Sequence, residues 1–460
     1  MSVTKRLSRR GLAIGAATAA VAAVALALLV GRSRATSQPN ILVVVIDSLR
    51  FDRVGAMGSP QDLTPFIDDV AAKSVIYRRA YAPSSWTAPV VASLFTGQYP
   101  SENGVTDFFV SLKDGATTLA SVLATHGYMT SGVTANAVIQ DVIGFSQGFQ
   151  RYKLVGEPTY ENPKSDGKLV NDQALKWVDE VGRDKPHFVY LHYMDVHLPY
   201  RTHHGITPPR SPAVERSDEE LINAVMWDRW EFSPEEVWRI EDMYNGEVQY
   251  MDGVLRDLFA GLEQRGFLKN ALVVVTADHG EQFGHHGVFG HGASLNEAVI
   301  HVPLSVHMPD NSLGFVPEPV ELGGLAAFIL DTVGVDTPPT MRIKELPTVD
   351  DTQRATHPAP VRSELVQWVQ KDHWQHKQAL VLGTHKLLVT PDGREVMYDL
   401  SRDPYERRPL PSVDATLHDA LEVELAALQK RIEGDSAPQQ VTPDAATLER
   451  LRAAGYLQDH

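Results

Sequence analysis

Short apolar runs that end on polar residues, alternating with stretches of helical periodicity, predict a doubly wound α/β fold with a mostly parallel sheet flanked by helices. Residues 41–46 (Ile-Leu-Val-Val-Val-Ile) are an unbroken β-branched and leucine run, the pattern of a strand covered on both faces. Residues 188–192 and 272–276 repeat it, and 129–134 supplies a fourth run. Met251, Leu255, Leu258 and Leu262 recur at spacings of four, three and four, with Arg265 and Gly266 as a stop, which predicts a crossover helix.

The elements follow in chain order. Lys5, Arg6, Arg9 and Arg10 precede the uncharged residues 11–30, and Arg32 and Arg34 follow them. A run of about 20 residues spans ~30 Å as a helix, so residues 1–38 are expected to be a hydrophobic signal or membrane-anchor segment. Ser8-Arg9-Arg10-Gly11-Leu12 also reads as a twin-arginine export signal, and Ala25-Leu26-Ala27 as a cleavage point. A buried soluble helix is the remaining reading, although its flanking cations would have no core to join. The charge bias leaves the catalytic portion outside the cytoplasm, in a periplasm or at the cell surface.

Residues 39–340 are expected to form the catalytic α/β domain. Within it, 201–235 is proline-rich and polar, carries Trp227 and Trp230, and lacks a strand pattern, so it reads as a lid or surface insertion. Ser233-Pro234-Glu235-Glu236 closes it as a capping box with proline at the first helical position. Residues 341–460 predict a smaller α+β subdomain. There 380–382 and 386–390 read as strands, Pro391-Asp392-Gly393 as a turn, and 396–400 as the returning arm of a hairpin. Two terminal helices follow, the second capped by Thr442-Pro443 and stopped at Gly455.

Composition narrows the function. The 460 residues are 43% hydrophobic and 22% charged, which excludes a disordered, collagenous or multi-span membrane protein. A net charge of −16 repels polyanions, so nucleic acid is excluded as a partner. The absence of cysteine removes disulfides, Cys-ligated zinc and iron–sulfur clusters, and also one type of nucleophile.

Ligands of an open α/β sheet gather beyond the carboxyl ends of its strands. Asp47 follows the first run, Asn136 the one at 129–134, Asp195 and His197 the one at 188–192, and Asp278-His279-Gly280 the one at 272–276. Any one of these acids alone is as well explained as a turn former. Together, Asp278 and His279 opposite another carboxylate offer oxygen and imidazole ligands for one divalent cation, with Mn, Zn, Mg and Ca all open. Between residues 83 and 97, Pro89 suits the first turn of a short helix and Gly97 its exit, which puts Thr87 at the N-terminal end. There Thr87 either caps the helix or stands where backbone N–H groups can hold an oxyanion.

From residue 40 nearly to the C-terminus these segments resemble the sulfatases, within the alkaline phosphatase superfamily. The resemblance lies in Ile46-Asp47-Ser48-Leu49-Arg50, in the stretch from Thr87 through Thr96-Gly97-Gln98-Tyr99-Pro100, and in Thr276-Ala277-Asp278-His279-Gly280-Glu281 with Gly290-His291-Gly292. Met397-Tyr398-Asp399-Leu400, Asp403-Pro404 and the helix at 448–457 complete it in family order. It implies an alkaline phosphatase-like fold, with Thr87 as the nucleophile and as a metal ligand beside Asp47, Asp278 and His279. His197 becomes the candidate general acid, His291 a second substrate contact or acid, and Asn103, Asn136 and Asp195 substrate-binding candidates. A second metal at Asp195, His197 and His291 is the alternative to a single one.

Three departures matter. Sulfatases carry a Cys or Ser at the nucleophile position, converted to formylglycine, whereas this chain has Thr87. Val91 stands where the family places an Arg, and His291 where a Lys is common. Threonine with an Asp-His pair resembles the phospho-transferring relatives, so cleavage or transfer of a phosphodiester or phosphonate is the leading expectation. The substrate class is a small-molecule, glycan or lipid-headgroup ester. Sulfate-ester hydrolysis without formylglycine is the alternative, and an inactive membrane-tethered binder of anionic glycans or lipids the third reading.

Overall fold

The computed structural model describes residues 38–453, apart from 160–163, 204–205, 207–212, 227–230, 353–359, 371–372 and all but a few of 413–441. The hydrophobic segment at 11–30, Trp227, Trp230, Gly455 and most of the first terminal helix lie outside the described residues. Among those described, no helix is long and apolar enough to cross a membrane. Residues 39–460 form one compact unit.

Its centre is an eight-stranded sheet. The strands are β1 (Asn40–Ile46), β2 (Val75–Tyr81), β3 (Met129–Thr134), β4 (Arg151–Leu154), β5 (His187–Tyr193), β6 (Ala271–Thr276), β7 (His301–His307) and β8 (Gly314–Glu321). Their spatial order is β8-β2-β7-β6-β1-β5-β3-β4. All pairings are parallel except those of β7 with β2 and β6. The four runs read from sequence are four of the five central and neighbouring parallel strands, and β1 is buried on both faces as its composition requires.

Helices pack on both faces. α1 (Thr87–Thr96) is wholly buried and leaves through Gly97, whose φ of 60° no β-branched residue would adopt readily. α2 (Gly167–Val181) starts at an Asp166 cap. α3 (Asp218–Met226) lies within the segment expected to be a lid or surface insertion, and buries Leu221, Ile222, Ala224 and Val225. α4 (Pro234–Gln264) joins two separate expectations into one helix of 31 residues: the Ser233–Glu236 capping box starts it, and the Met251 to Leu262 stripe is its buried face. Arg216–Glu236 and Arg239–Asp218 ion pairs tie α3 and its approach to the start of α4.

The second sheet has four antiparallel strands: β9 (Val361–Gln370), β10 (His373–Leu382), β11 (His385–Val389) and β12 (Glu395–Asp399). The expected hairpin is β11-β12, turned at Gly393. Sequence reading missed β9, which fastens this sheet to the first: Glu364 N donates to Pro83 O at 2.9 Å and Ser363 Oγ to Ala82 O at 2.7 Å. The closing helix α5 spans Ala445–Ala453.

Candidate active site

The carboxyl ends of β1, β3, β5 and β6 converge with the N-terminus of α1. The β1–β5 and β1–β6 registers bring Val45 beside His192 and Thr276, so Asp47 and Asp278 leave the sheet next to each other. Ser48 takes a left-handed φ of 62°, and its amide reaches Asp278 Oδ1 at 3.3 Å while its hydroxyl reaches Asp47 Oδ1 at 3.0 Å. Such backbone strain concentrates at functional sites.

Thr87 is not the helix cap. Trp86 holds that position without a side-chain bond, so Thr87 is the first helical residue and its hydroxyl is free to face the strands. Thr87 Oγ1 lies 3.3 Å from Asp47 Oδ2 and 3.3 Å from His279 Nε2. His279 Nε2 stands 3.6 Å from Asp47 Oδ1 and 3.5 Å from Asp278 Oδ2. Ligand atoms about 2.1 Å from a common cation stand roughly 3.0–3.5 Å apart, so the side chains of these four residues are spaced close to a ligand set.

Two further observations fit a cation. Asp278 Oδ2 is buried and has no hydrogen-bond partner. His279 Nδ1 is 2.9 Å from the Gly280 carbonyl, which takes its proton and leaves the Nε2 lone pair toward the carboxylates. Burial, reinforced by Asp47, pushes the Asp278 carboxyl up to about 8. Burial pushes Asp47 up as well, but His197, His192 and His279 outweigh it and hold this carboxyl well below the usual range. The proton of this adjacent pair therefore rests on Asp278, and a cation held here would displace it. Among the described residues, Asp47, Asp278 and His279 form a buried group with ligand atoms within 4.8 Å of one another, and Asp195, His197 and His291 form no second one.

Asn136 arrives at the centre: Nδ2 donates to Asp47 Oδ2 at 2.7 Å and to Thr87 Oγ1 at 3.4 Å. His197 and His291 lie side by side, ring centroids 4.8 Å apart, and the His291 ring is 4.2 Å from that of His279. Burial lowers His197 to about 4, against the raising influence of Asp47, and lowers His291 as well. His197 Nδ1 donates to the Leu198 carbonyl at 2.5 Å, which sets the orientation of the ring.

Two sequence candidates are corrected. Asp195 turns into the protein, where Oδ1 accepts from Gly167 N at 3.0 Å and the carboxyl packs on Gly167, because α2 begins there. Asn103 is spent on its own turn: its amide donates to Gln98 O at 3.2 Å and its Oδ1 accepts from Val105 N at 2.9 Å. His286 has its Nε2 3.3 Å from the Tyr405 carbonyl.

Sequence reading missed two participants. His192 is fully buried, with Nε2 3.2 Å from Asp47 Oδ2 and Nδ1 2.9 Å from the Tyr190 hydroxyl. Glu281 is also buried, pushed up to about 7 by burial, and its Oε1 lies 3.1 Å from His291 Nδ1. The available signals were a histidine interrupting an apolar strand and an acid two residues beyond a metal-type His.

The sulfatase family model matches residues 39–335, well over half of the chain. The chain belongs to the sulfatase family. Its place in the alkaline phosphatase superfamily and its activity as an ester hydrolase follow from that membership. It is 23% identical to mouse arylsulfatase K over 425 residues, covering 82% of this chain and 76% of the relative. The fold is similar to that of BT4656, solved with its substrate D-glucosamine-2-N,6-O-disulfate, at a TM-score of 0.68 and 18% identity over 87% of this chain and 99% of the other. It is also similar to the phosphonate monoester hydrolase of Agrobacterium radiobacter, at a TM-score of 0.65 and 16% identity over 88% and 100% of the two chains.

Proposed function

We propose that this sulfatase-family protein cleaves or transfers a singly charged phosphorus ester, a phosphodiester or phosphonate monoester, with Thr87 as nucleophile. The position of the Thr87 hydroxyl carries the reading: buried at the start of α1, not used as a cap, and 3.3 Å from Asp47 Oδ2 and from His279 Nε2, which follow two different strands. A divalent cation held by Asp47, Asp278, His279 and Thr87, with Mn, Zn, Mg and Ca as candidates, would supply countercharge to the ester and favour ionisation of the hydroxyl.

The chain's own residues define the rest. Asn136 and His192 hold Asp47 Oδ2 in place, and so fix the carboxylate against which Thr87 is oriented. Thr87 Oγ1, its proton released to water, attacks the phosphorus, and the ester oxygen opposite leaves with the bonding electron pair. His197 is neutral at pH 7 in the free protein; an anionic ester raises its pKa, so the proton it takes up from water on binding is delivered from Nε2 to the leaving oxygen. Water or an acceptor alcohol then attacks the phosphorus, the bond from phosphorus to Thr87 Oγ1 breaks, and Thr87 regains its hydroxyl as the attacking group gives up its proton.

Charge selects the substrate. Val91, at the family's Arg position, is fully buried in the core, and burial keeps His291 neutral where the family places Lys. A site short of cations disfavours a dianionic monoester. Sulfate is disfavoured on other grounds: a threonine ester has no second hydroxyl with which to expel it, as the formylglycine diol does. Sulfate hydrolysis is the second reading, supported by the likeness to a protein that holds a disulfated glucosamine. A panel of phosphodiester, phosphonate and sulfate esters sharing one leaving group decides between them; a sulfate rate above both phosphorus esters overturns the proposal.

The charge pattern around residues 11–30 supports export, with the catalytic unit outside the cytoplasm and tethered to or released from the membrane. Full-length protein found only in the soluble cytoplasmic fraction contradicts this.

A further inference from the structure

Behind His197 lies a buried ion pair that the chemistry above does not use. The Lys164 ammonium donates to the carbonyl of Asp195, to the carbonyl of His197 at 2.9 Å and to Glu247 Oε1 at 2.6 Å. An ammonium has three N–H groups, so the set is complete. Glu247, on α4 and fully buried, has both oxygens engaged. Oε1 also accepts from the Arg201 amide at 2.5 Å, and Oε2 pairs with His203 Nε2 at 2.5 Å. The His203 ring stacks on Tyr250 with centroids 3.7 Å apart. Two side chains of opposite charge therefore grip the chain from Asp195 to His203 at four points.

Burying an ammonium and a carboxylate costs several kcal/mol per ion, and an apolar pair of similar volume serves stability as well or better. What an apolar pair cannot do is hold two carbonyls in fixed directions. The His197 ring is set by its own backbone, because Nδ1 bonds the adjacent Leu198 carbonyl. The backbone of 195–198 therefore fixes where Nε2 stands, and Lys164 bonds that backbone on either side of Val196.

We infer that Lys164, with Glu247 as its counterion, is a positioning residue that places His197 for proton delivery to the leaving oxygen. The inference rests on the reading of His197 as proton donor. As the ester bond breaks, the leaving oxygen keeps the electron pair and takes the Nε2 proton, and the imidazolium returns to neutral imidazole. A poor alkoxide leaving group needs that proton and a nitrophenolate hardly does, so misplacement of His197 is read as a new sensitivity to the leaving group.

The test compares two phosphodiesters that differ only in leaving group, alkyl or 4-nitrophenyl, with the full-length metal-loaded protein. A correctly placed general acid contributes about 10²–10⁴-fold for a poor leaving group. In Lys164→Met, kcat on the alkyl ester falls at least ~10-fold more than on the nitrophenyl ester, while KM shifts alike for both. The double variant Lys164→Met/Glu247→Met removes both members of the ion pair and so spares Glu247 from standing as an unpaired buried charge if the single variant does not fold; it gives the same discrimination. Equal losses on both esters in these variants, with His197→Ala still discriminating, overturn the positioning role alone. A His197→Ala variant that does not discriminate overturns the proton-donor reading and the inference with it.

Discussion

Lys386→Met removes the one cation shared by two buried carboxylates. The Lys386 ammonium, on β11 and fully buried, stands 3.0 Å from Glu297 Oε1 and 2.8 Å from Glu406 Oε1. Glu406 Oε2 accepts from the Glu297 amide at 2.7 Å, so the cluster ties the second sheet to the start of β7. Burial pushes the Glu297 carboxyl up, but Lys386 and His301 outweigh it and hold it at about 2, against 4.5 for an ordinary Glu. A displacement of that size corresponds to roughly 3 kcal/mol, and breaking a buried pair by deleting one partner costs about 3–5 kcal/mol. Both routes give ~3–4 kcal/mol, and with ~2 cal/mol/K of unfolding entropy per residue over some 400 residues, roughly a 4 °C fall in Tm.

The pH dependence carries a sign. A depressed carboxyl contributes stability that is present above its unfolded value near 4.5 and is lost as pH falls through about 2. Without Lys386, burial raises Glu297 instead, so protonation relieves the variant and its deficit shrinks as pH falls from 7.5 toward 5. Thermal unfolding by circular dichroism at the two pH values reads both effects. A variant with the parent's Tm at pH 7.5, or a deficit that widens on acidification, would refute the reasoning.

Two predictions concern the cation. Dialysis against a chelator lowers Tm and re-addition of a divalent ion restores it, with about one equivalent bound and little bound by an Asp278→Asn/His279→Ala variant; two tightly held equivalents contradict the single centre. His192→Phe deletes the Nε2 contact to Asp47 and weakens metal binding by about 10–100-fold in calorimetry, whereas unchanged affinity shows that His192 does not orient Asp47.

The parts legible in the sequence were those with a local pattern. β1, β5 and β6 are largely apolar runs, β3 is a weaker one (Met-Thr-Ser-Gly-Val-Thr), and the residues beyond their ends include Asp47, Asn136, His197, Asp278 and His279. β2, one strand in from the edge, was hidden by Arg78 and Arg79 in mid-strand, and β7 by Pro303, which sits where its pairing with β2 shifts register between Val302 and Leu304. Asp195 was misread because a carboxyl after a strand serves a neighbouring helix as readily as a ligand, and only the start of α2 decides. Lys164 and Glu247 are 83 residues apart, with no local signal to pair them; the fold alone brings them together behind His197.

The central claim is that Thr87 forms a covalent ester with the substrate. Acid quenching during turnover of a 4-nitrophenyl phosphodiester, followed by peptide mass spectrometry, should find the phosphoryl ester fragment on Thr87. Thr87→Ala should lower turnover by several orders of magnitude with Tm retained, and Thr87→Ser, which keeps the hydroxyl, should keep part of the activity. An unmodified Thr87 peptide together with near-parental turnover in Thr87→Ala would contradict the account.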